Sequence, residues 1–313
     1  MEEIKIIFMK SRLECMCWAR LPRAGLGHKL FVWARGYVFA TLNQLPFYAT
    51  GFNRVRIGPL LRGEIGRYYF GQFSGTDAVA LRQRLHAKLF LPRIYDPPVS
   101  PIADDVPKLY VFSRVPHWKD FFGDVRNHRD TVRAELPNII SQRAKGTLAT
   151  LPTPLISLHV RHGDFRTLKE GENFGHVGAV RTPLEYFKNT VNTIRMIAKK
   201  ELPVTIFSDA VEDALAPLLA LPNVRRHPPH SAIVDLLLMA RSRIIVPSAG
   251  STFGYWAGFL SDAAIMLHPE HIHSAIRSDQ VNRTLFEGPT PSSVAACPEL
   301  LKRTIETIGS EGC

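Results

Sequence analysis

The sequence has 313 residues, 45% hydrophobic and 21% charged, a composition typical of a globular protein long enough for two domains. It contains no run of roughly 20 apolar residues, no secretory signal and no long block of Lys or Arg, so a membrane span, export and nucleic-acid binding are not expected. The net charge of +11 favours a phosphate-bearing ligand, and we expect a cytoplasmic protein whose basic surface allows peripheral association with the inner face of the plasma membrane.

The N-terminal half of the sequence indicates an α/β domain. Apolar runs predict strands at 15–19 and 109–112 and helices at 28–41 and 118–136. The segment 144–154 contains Thr, Pro and Gly and is typical of an interdomain linker. We therefore expect two domains, 1–150 and 151–313. The four cysteines are too few and too scattered for a disulfide framework or a zinc site.

The C-terminal half predicts alternating strands and helices. A proline and an acid behind Thr182 indicate the start of one helix. Strands are predicted at 155–160, 204–207, 243–246 and 263–267, and helices after residue 183 and at 211–219, 233–241 and 252–260. This alternation predicts a parallel sheet with helices on both faces. Ligands of such sheets bind beyond the carboxyl ends of the strands, so the loops after Val160, Phe207 and Val246 are expected at one rim.

The first candidate motif follows the predicted strand 155–160 and reads His-Val-Arg-His-Gly-Asp over residues 159–164. The planar fork of Arg161 matches the oxygens of a pyrophosphate, whose charge grows when a nucleoside diphosphate leaves a sugar. The alternative is a structural ion pair between Arg161 and Asp164 that holds a turn.

Two further loops are candidates for an anion site. Ser251, Thr252 and Phe253 begin a predicted helix after a run of small residues, where free N–H groups attract phosphate; the alternative is an ordinary Ser N-cap. Gly25 and Gly27 open the first long helix of the N-terminal half, and their alternative is a tight turn.

Two acids complete the set of candidate residues. Asp209 follows a predicted strand, where it can bond ribose hydroxyls or orient Arg161, with a helix N-cap as the alternative. Asp235 begins a predicted helix and can accept hydrogen bonds from the ring N–H and exocyclic amine of guanine. Its alternative role is that of a first-turn acid placed by the helix dipole.

These motifs, in this order, resemble those of the α-1,2-fucosyltransferases, which form glycosyltransferase family 11, and of the related α-1,6- and protein O-fucosyltransferases. The family's H-x-R-R-x-D and F-S-D motifs are similar to residues 159–164 and 207–209, and its G-G-L-G-N-Q motif to residues 24–29. Its D-x-x-L-M-S and N-S-T-F-S-W-W segments are similar to residues 235–240 and 251–256.

The resemblance implies a GT-B fold with two Rossmann-like domains facing a central cleft, the first on the acceptor side and the second binding the nucleotide sugar. It implies GDP-fucose as donor, no metal, no further cofactor and transfer with inversion. The expected acceptor is an oligosaccharide or a lipid-linked glycan, to which fucose is joined through an α-1,2 linkage. The sequence does not indicate an oligomeric state. A related transferase that uses another nucleotide sugar and a non-catalytic nucleotide- or glycan-binding relative are the alternatives.

The resemblance also assigns roles to residues. Arg161 would hold the diphosphate with help from the hydroxyls and backbone of residues 251–253. His159 and Asp235 would contact guanine, and Gly25 and Gly27 would line the donor cleft.

A general base, if one is used, should be a carboxylate within reach of the acceptor hydroxyl. Asp164 is the first candidate, with Glu170 and Glu172 as alternatives, although Asp164 could instead only brace Arg161. The chain departs from the family pattern in having His162, Ala210 and Gly254-Tyr255 where relatives have Arg, Asp and Ser-Trp, and His28-Lys29 in place of Asn-Gln.

Overall fold

The computed structural model describes residues 15–54, 69–75, 79–103, 106–271 and 273–310. The chain divides into two compact units, Met1–Gly146 and Thr147–Cys313. The division falls within a helix, Gln142–Thr150. The first part of the segment predicted as a linker is therefore helical. Among the described residues, no helix combines the length and apolar character that crossing a bilayer requires.

The first unit is built on a parallel sheet of four short strands in the order β2-β1-β4-β3. Its helix α1 packs against β1 and β4 so closely that a Cβ at Gly36 would lie 3.4 Å from the Cβ of Ala19. The elements are β1 (Met16–Arg20), α1 (Leu26–Asn43), β2 (Phe47–Thr50), α2 (Leu81–Phe90), β3 (Arg93–Tyr95), β4 (Leu109–Phe112), α3 (Arg129–Ile139) and α4 (Gln142–Thr150).

The prediction of a single helix over residues 118–136 is wrong. The structure has two 3₁₀ turns, Trp118–Asp120 and Arg126–His128, and the α-helix begins only at Arg129. The interruption has a packing cause, because Phe121 and Phe122 both turn onto the ring of Phe31 on α1, at 5.0 and 4.8 Å between centroids. A continuous helix would not place both of these successive rings on the same neighbour.

The second unit contains a six-stranded parallel sheet in the order β10-β9-β8-β5-β6-β7. Its elements are β5 (Ile156–Val160), α5 (Leu184–Ala198), β6 (Val204–Ser208), α6 (Ala216–Leu219), β7 (Val224–Arg226), α7 (Ala232–Met239), β8 (Ile244–Pro247), α8 (Thr252–Leu260), β9 (Ala264–Leu267), α9 (Asp279–Asn282), β10 (Glu287–Pro289) and α10 (Glu299–Ser310). Strand β5 lies between β6 and β8, and all five of its residues are buried.

Helices cover both faces of this sheet, as predicted. One face carries Leu158 and Met266, which belong to a buried cluster that includes residues of α5 and α10. The neighbouring residue Ile265 points to the opposite face, where its side chain meets Gly258 of α8. The alternating pattern of the sequence therefore places the carboxyl ends of β5, β6 and β8 at one rim, between two helical layers.

A buried ion pair closes the β10 edge of the sheet. The side chain of Arg277 is fully buried and donates to the carbonyl oxygens of Ala263, at 2.9 Å, and Phe286, at 2.7 Å. Its Nε lies 3.4 Å from Glu287 Oε2, and this carboxylate also accepts from the backbone N–H groups of Ile276 and Arg277. Each polar group of the pair thus has a partner, as burial requires.

Because removal of one partner leaves a buried charge uncompensated, we expect Glu287→Ala to lower the free energy of unfolding by about 3–5 kcal/mol. Urea denaturation followed by circular dichroism measures this. The matched control is Glu299→Ala, which breaks a pair with Arg303 that is largely exposed and should cost less than about 1 kcal/mol. Equal losses in the two variants would contradict the role assigned to the buried pair.

Candidate active site

Hydrogen bonds between strand ends fix the backbone on which Arg161 stands. Arg161 N donates to Ser248 Oγ at 2.8 Å, and Ser248 Oγ donates to His159 O at 2.8 Å. On the other side of β5, Ser208 Oγ donates to Val160 O at 2.7 Å. Two serines that follow or end the neighbouring strands therefore hold the carboxyl end of β5 in place.

The side chain of Arg161 lies between two carboxylates. Its Nη1 donates to Asp209 Oδ2, and its Nη2 donates to Asp164 Oδ1 at 2.5 Å. Asp209 also accepts from the backbone N–H of His162 at 2.8 Å. Asp209 thus orients Arg161, one of the two roles expected for it, and it does not cap the 3₁₀ turn that follows, whose N-cap is Val211. Asp164 braces the same guanidinium, as its alternative role predicts.

Gly163 is required by this arrangement. Its backbone has φ +23°, in the region that L side chains rarely adopt. A Cβ at this position would overlap Asp209 Oδ2 and lie 3.1 Å from Arg161 Cζ. The loop can therefore close over the ion pair only with glycine at position 163.

A second guanidinium, which the sequence analysis did not single out, lies near His162 in the loop after β5. Arg181 Nε donates to Phe165 O at 2.9 Å, and the ring of Phe165 lies under Arg161, 5.7 Å from Cζ to centroid. Burial lowers the pKa of His162, and the charge of Arg181 lowers it further. A cation thus lies near His162, where relatives have a second arginine. Only the folded loop brings it there, since Arg181 is 19 positions further along the chain.

The turn before α8 leaves the start of that helix without a side-chain cap. Ser251 occupies the N-cap position but makes no capping hydrogen bond with its side chain, and the first turn carries no acid. The backbone of the turn is held from behind, because Gly250 N donates to Tyr255 Oη at 2.7 Å and Ala249 N donates to Thr182 Oγ1 at 2.9 Å. The first N–H groups of α8 therefore form the kind of site that attracts anions.

His159 joins the start of α8 to the end of β5. Its ring is buried and lies 5.2 Å from that of Phe253, centroid to centroid. A Cβ at Gly254 would lie 2.9 Å from His159 Nδ1 and 2.7 Å from the Cβ of Pro247, so this departure from the family's Ser follows from close packing. Burial, assisted by the charge of Arg161, lowers the pKa of His159 to about 4. The imidazole is therefore neutral at neutral pH.

Asp235 lies in the first turn of α7, as the helix-dipole alternative predicts, and at the same edge of the sheet as Arg161. Its Oδ1 is buried and has no hydrogen-bond partner among the described residues. A buried carboxylate oxygen without a donor is costly, so this atom is ready to accept hydrogen bonds from a ligand.

The structure does not unite every candidate residue. Gly25 is the N-cap of α1 and Gly27 lies in its first turn, both in the first unit, so their role in a donor cleft stays a prediction. In the loop after β5, Glu172 forms a two-pronged ion pair with Arg166, at 2.6 and 2.8 Å, and this bond lowers its pKa. Glu170 is exposed on the same loop. The choice among the three candidate bases also stays a prediction.

The family model of glycosyl transferase family 11 matches residues 112–280, more than half of the sequence, and the chain belongs to this family. It is accordingly a glycosyltransferase, and the resemblance inferred from its motifs is confirmed. The matched region contains each candidate residue of the second unit. No curated protein sequence matches the chain.

Solved structures of fucosyltransferase NodZ are similar to this chain over about four fifths of its length. Against NodZ from Bradyrhizobium the identity is 15%, the match covers 82% of this chain and 97% of that chain, and the TM-score is 0.52. Against NodZ alpha-1,6-fucosyltransferase co-crystallized with GDP, the identity is 15%, the match covers 82% of this chain and 96% of that chain, and the TM-score is 0.52. Against NodZ alpha-1,6-fucosyltransferase soaked with GDP-fucose, the identity is 16%, the match covers 80% of this chain and 94% of that chain, and the TM-score is 0.50. The α/β class and the GT-B-like fold expected from the resemblance are thus confirmed.

The packing around Gly254 can be tested by substitution. We expect Gly254→Ala to lower the free energy of unfolding by about 1–3 kcal/mol, because the new methyl group must displace His159 or Pro247. Urea denaturation measures the change. The control is Gly146→Ala in α4, where a Cβ meets nothing within 4 Å, and this change should leave stability unchanged or raise it by up to about 1 kcal/mol. An unchanged free energy of unfolding in Gly254→Ala would show that His159 is not closely packed against α8.

The lowered pKa of His159 predicts a pH dependence of stability. Between pH 6.5 and about 4 the unfolded chain binds a proton at this residue and the folded chain does not, so the free energy of unfolding falls as the pH falls. The variant His159→Phe cannot bind that proton, and its decline over this window should be smaller by about 3 kcal/mol. Urea denaturation at a series of pH values measures both proteins. Parallel declines would rule out a depressed pKa at His159.

Proposed function

We propose that this glycosyltransferase moves fucose from GDP-fucose to a hydroxyl group of an oligosaccharide or lipid-linked glycan. The observation that carries the proposal is the guanidinium of Arg161, held at the carboxyl end of β5 next to the uncapped start of α8. Membership of family 11 and a fold shared with NodZ, which was soaked with GDP-fucose, support the choice of donor.

The diphosphate of the donor would bind between Arg161 and the start of α8. In the free protein, one guanidinium faces two carboxylates, so this trio carries one excess negative charge. A diphosphate needs more positive charge than that, and Arg181 and the N–H groups of residues 252 and 253 would supply it. The donor would then compete with Asp164, the more exposed of the two acids, for the fork of Arg161.

Guanine would bind at the β7 side of the same rim. The unpartnered Oδ1 of Asp235 would accept from the ring N–H and exocyclic amine of the base, and neutral His159 would complete the contact. Uracil offers only one N–H on its pairing edge and cytosine only its amine. The carboxylate therefore favours guanine over either pyrimidine.

Transfer would proceed in one step with inversion and form an α-1,2 linkage. The acceptor oxygen forms a bond to the anomeric carbon as the bond to the diphosphate breaks, and Arg161 stabilises the negative charge that moves onto the leaving group. The cations of the chain take this role in place of a metal. A carboxylate accepts the hydroxyl proton, and our candidate is Asp164, which contacts Arg161 directly in the free protein and would be released from it by the donor. The net charge of +11 suits work at the inner face of the plasma membrane on a lipid-linked acceptor.

Calorimetric titration with GDP, UDP, ADP and CDP tests the donor class. We expect GDP to bind at least tenfold more tightly than the others, which corresponds to about 1.4 kcal/mol. Tighter binding of another nucleotide would mean a different donor sugar, and binding of none would remove the donor site. Release of GDP from GDP-fucose should proceed at the same rate with and without a chelator, and loss of activity in the chelator would contradict transfer without a metal.

The same assays test Arg161. Arg161→Ala should lower turnover by about 10²–10³-fold, because one preorganised donor to the developing charge is lost. The matched control is Arg166→Ala, which removes a guanidinium from the same loop that is paired with Glu172. If the turnover of Arg161→Ala lies within a few fold of that of Arg166→Ala, Arg161 does not stabilise the leaving diphosphate.

A further inference from the structure

Two histidines and an aspartate converge at the outer end of the rim. His227 directly follows β7, His230 lies three residues further on, and Asp235 lies in the first turn of α7. The two residues between the histidines are prolines, which restrict the backbone of this loop. The imidazole rings are stacked, with centroids 4.9 Å apart and an angle of 23° between their planes. We call these three side chains the His-His-Asp cluster.

Asp235 Oδ1 makes no hydrogen bond with either imidazole, and the distances among the three side chains suit a shared ligand. His227 Nε2 lies 3.5 Å and His230 Nδ1 lies 3.8 Å from Asp235 Oδ1, and one ligand atom from each residue lies within 4.8 Å of the other two. Donors around a tetrahedral zinc ion with bonds near 2.1 Å are separated by roughly 3.4 Å. Small rotations of the side chains would therefore bring the three atoms to bonding distance from one ion.

The cluster also contains polar atoms that the described part of the chain leaves unsatisfied. His227 Nε2 and Asp235 Oδ1 are both buried and have no hydrogen-bond partner there. The side chains of His227, His230 and Asp235 are only 10%, 24% and 21% exposed. Burying such atoms without partners is unfavourable, and an ion that binds both removes the penalty.

One existing contact must be given up. His230 Nδ1 lies 2.8 Å from Pro228 O, which indicates an N–H donor in the free protein. A metal at Nδ1 requires the other tautomer, with the proton on Nε2. The backbone N–H of His230 lies 3.4 Å from Asp235 Oδ2, so the second carboxylate oxygen keeps its position while Oδ1 faces the ion.

We propose that the His-His-Asp cluster binds one divalent transition-metal ion of the Zn²⁺ class, with water in the fourth position. Two imidazoles and one carboxylate are a ligand set that suits Zn²⁺, whereas Mg²⁺ and Ca²⁺ prefer sites made of oxygen atoms. The ion is separate from the transfer chemistry, which takes place at the end of β5. It would instead compete with guanine for Asp235, a consequence that rests on the proposed function.

Titration of the untagged, chelator-treated chain of 313 residues with ZnCl₂ tests the metal site without any nucleotide. Calorimetry should show one equivalent bound, and Co²⁺ in place of Zn²⁺ should give the absorption bands of a four-coordinate ion. His227→Gln, His230→Gln and Asp235→Asn should each weaken Zn²⁺ binding by at least tenfold. His176→Ala, which removes an exposed histidine outside the cluster, should bind as the unchanged protein does.

Two results would overturn the proposal: no stoichiometric binding of Zn²⁺, or binding that the three cluster substitutions leave unaltered. His230→Gln changes the most exposed of the three side chains, so we expect this variant to fold. It therefore tests the proposal even if substitution of a more buried partner disturbs folding. Circular dichroism confirms the fold of each variant before titration.

A second titration separates the metal site from the donor site. One equivalent of Zn²⁺ should weaken GDP binding by at least tenfold in the unchanged protein but not in His230→Gln. The measurement on His230→Gln also corrects for Zn²⁺ that is chelated by the diphosphate of GDP. GDP binding that Zn²⁺ leaves unaltered would refute the shared use of Asp235. Failure of GDP to bind at all would refute the proposed function and leave the ZnCl₂ titration as it stands.

Discussion

The rest of the site depends on the ion pairs that hold Arg161 at the end of the central strand. A guanidinium placed there without partners would sample many rotamers and point into solvent. Asp209, from the neighbouring strand end, and Asp164, from the same loop, fix its plane before any ligand arrives. Fixed donors need not reorganise when negative charge develops, and this preorganisation is the main source of electrostatic catalysis. The same arrangement restricts the loop to glycine at position 163.

The order of the strands explains why distant segments of sequence can form one site. In the series β8-β5-β6-β7, the start of α8 follows the first strand, Arg161 follows the second and Asp235 follows the last. Adjacent strands are about 4.8 Å apart, so this row of loops extends over about 14 Å. A nucleoside diphosphate lying along the rim can therefore meet a cationic centre with its phosphates and a carboxylate with its base.

The sequence predicts the middle of the sheet well and its edges poorly. Strands β5, β6, β8 and β9 are apolar runs next to recognisable helices, and each lies within one residue of its predicted bounds. Strands β7 and β10 have three residues each, with charged residues, Gly or Pro, and they become strands only by pairing with a neighbour. Within the site, the motifs identify Arg161 and Asp209. They do not reveal Arg181 or the bonds of Ser248 to Arg161 N and His159 O, because contacts that depend on how loops pack leave no local pattern in the sequence.

The position of Arg181 accounts for the histidine at position 162. Arg181 bonds the loop after β5 through Phe165 O, and the next residue, Thr182, bonds the turn before α8 through Ala249 N. Arg181 and Thr182 thus tie this segment to both of the loops on which a diphosphate would rest, and the guanidinium itself bonds the loop after β5. A second arginine at position 162 would add a like charge beside it and would be repelled at close range. Burial and the charge of Arg181 lower the pKa of His162 and so favour its neutral form, which avoids that repulsion. The number of cations available to the site is therefore preserved, although one of them comes from a different segment of the chain.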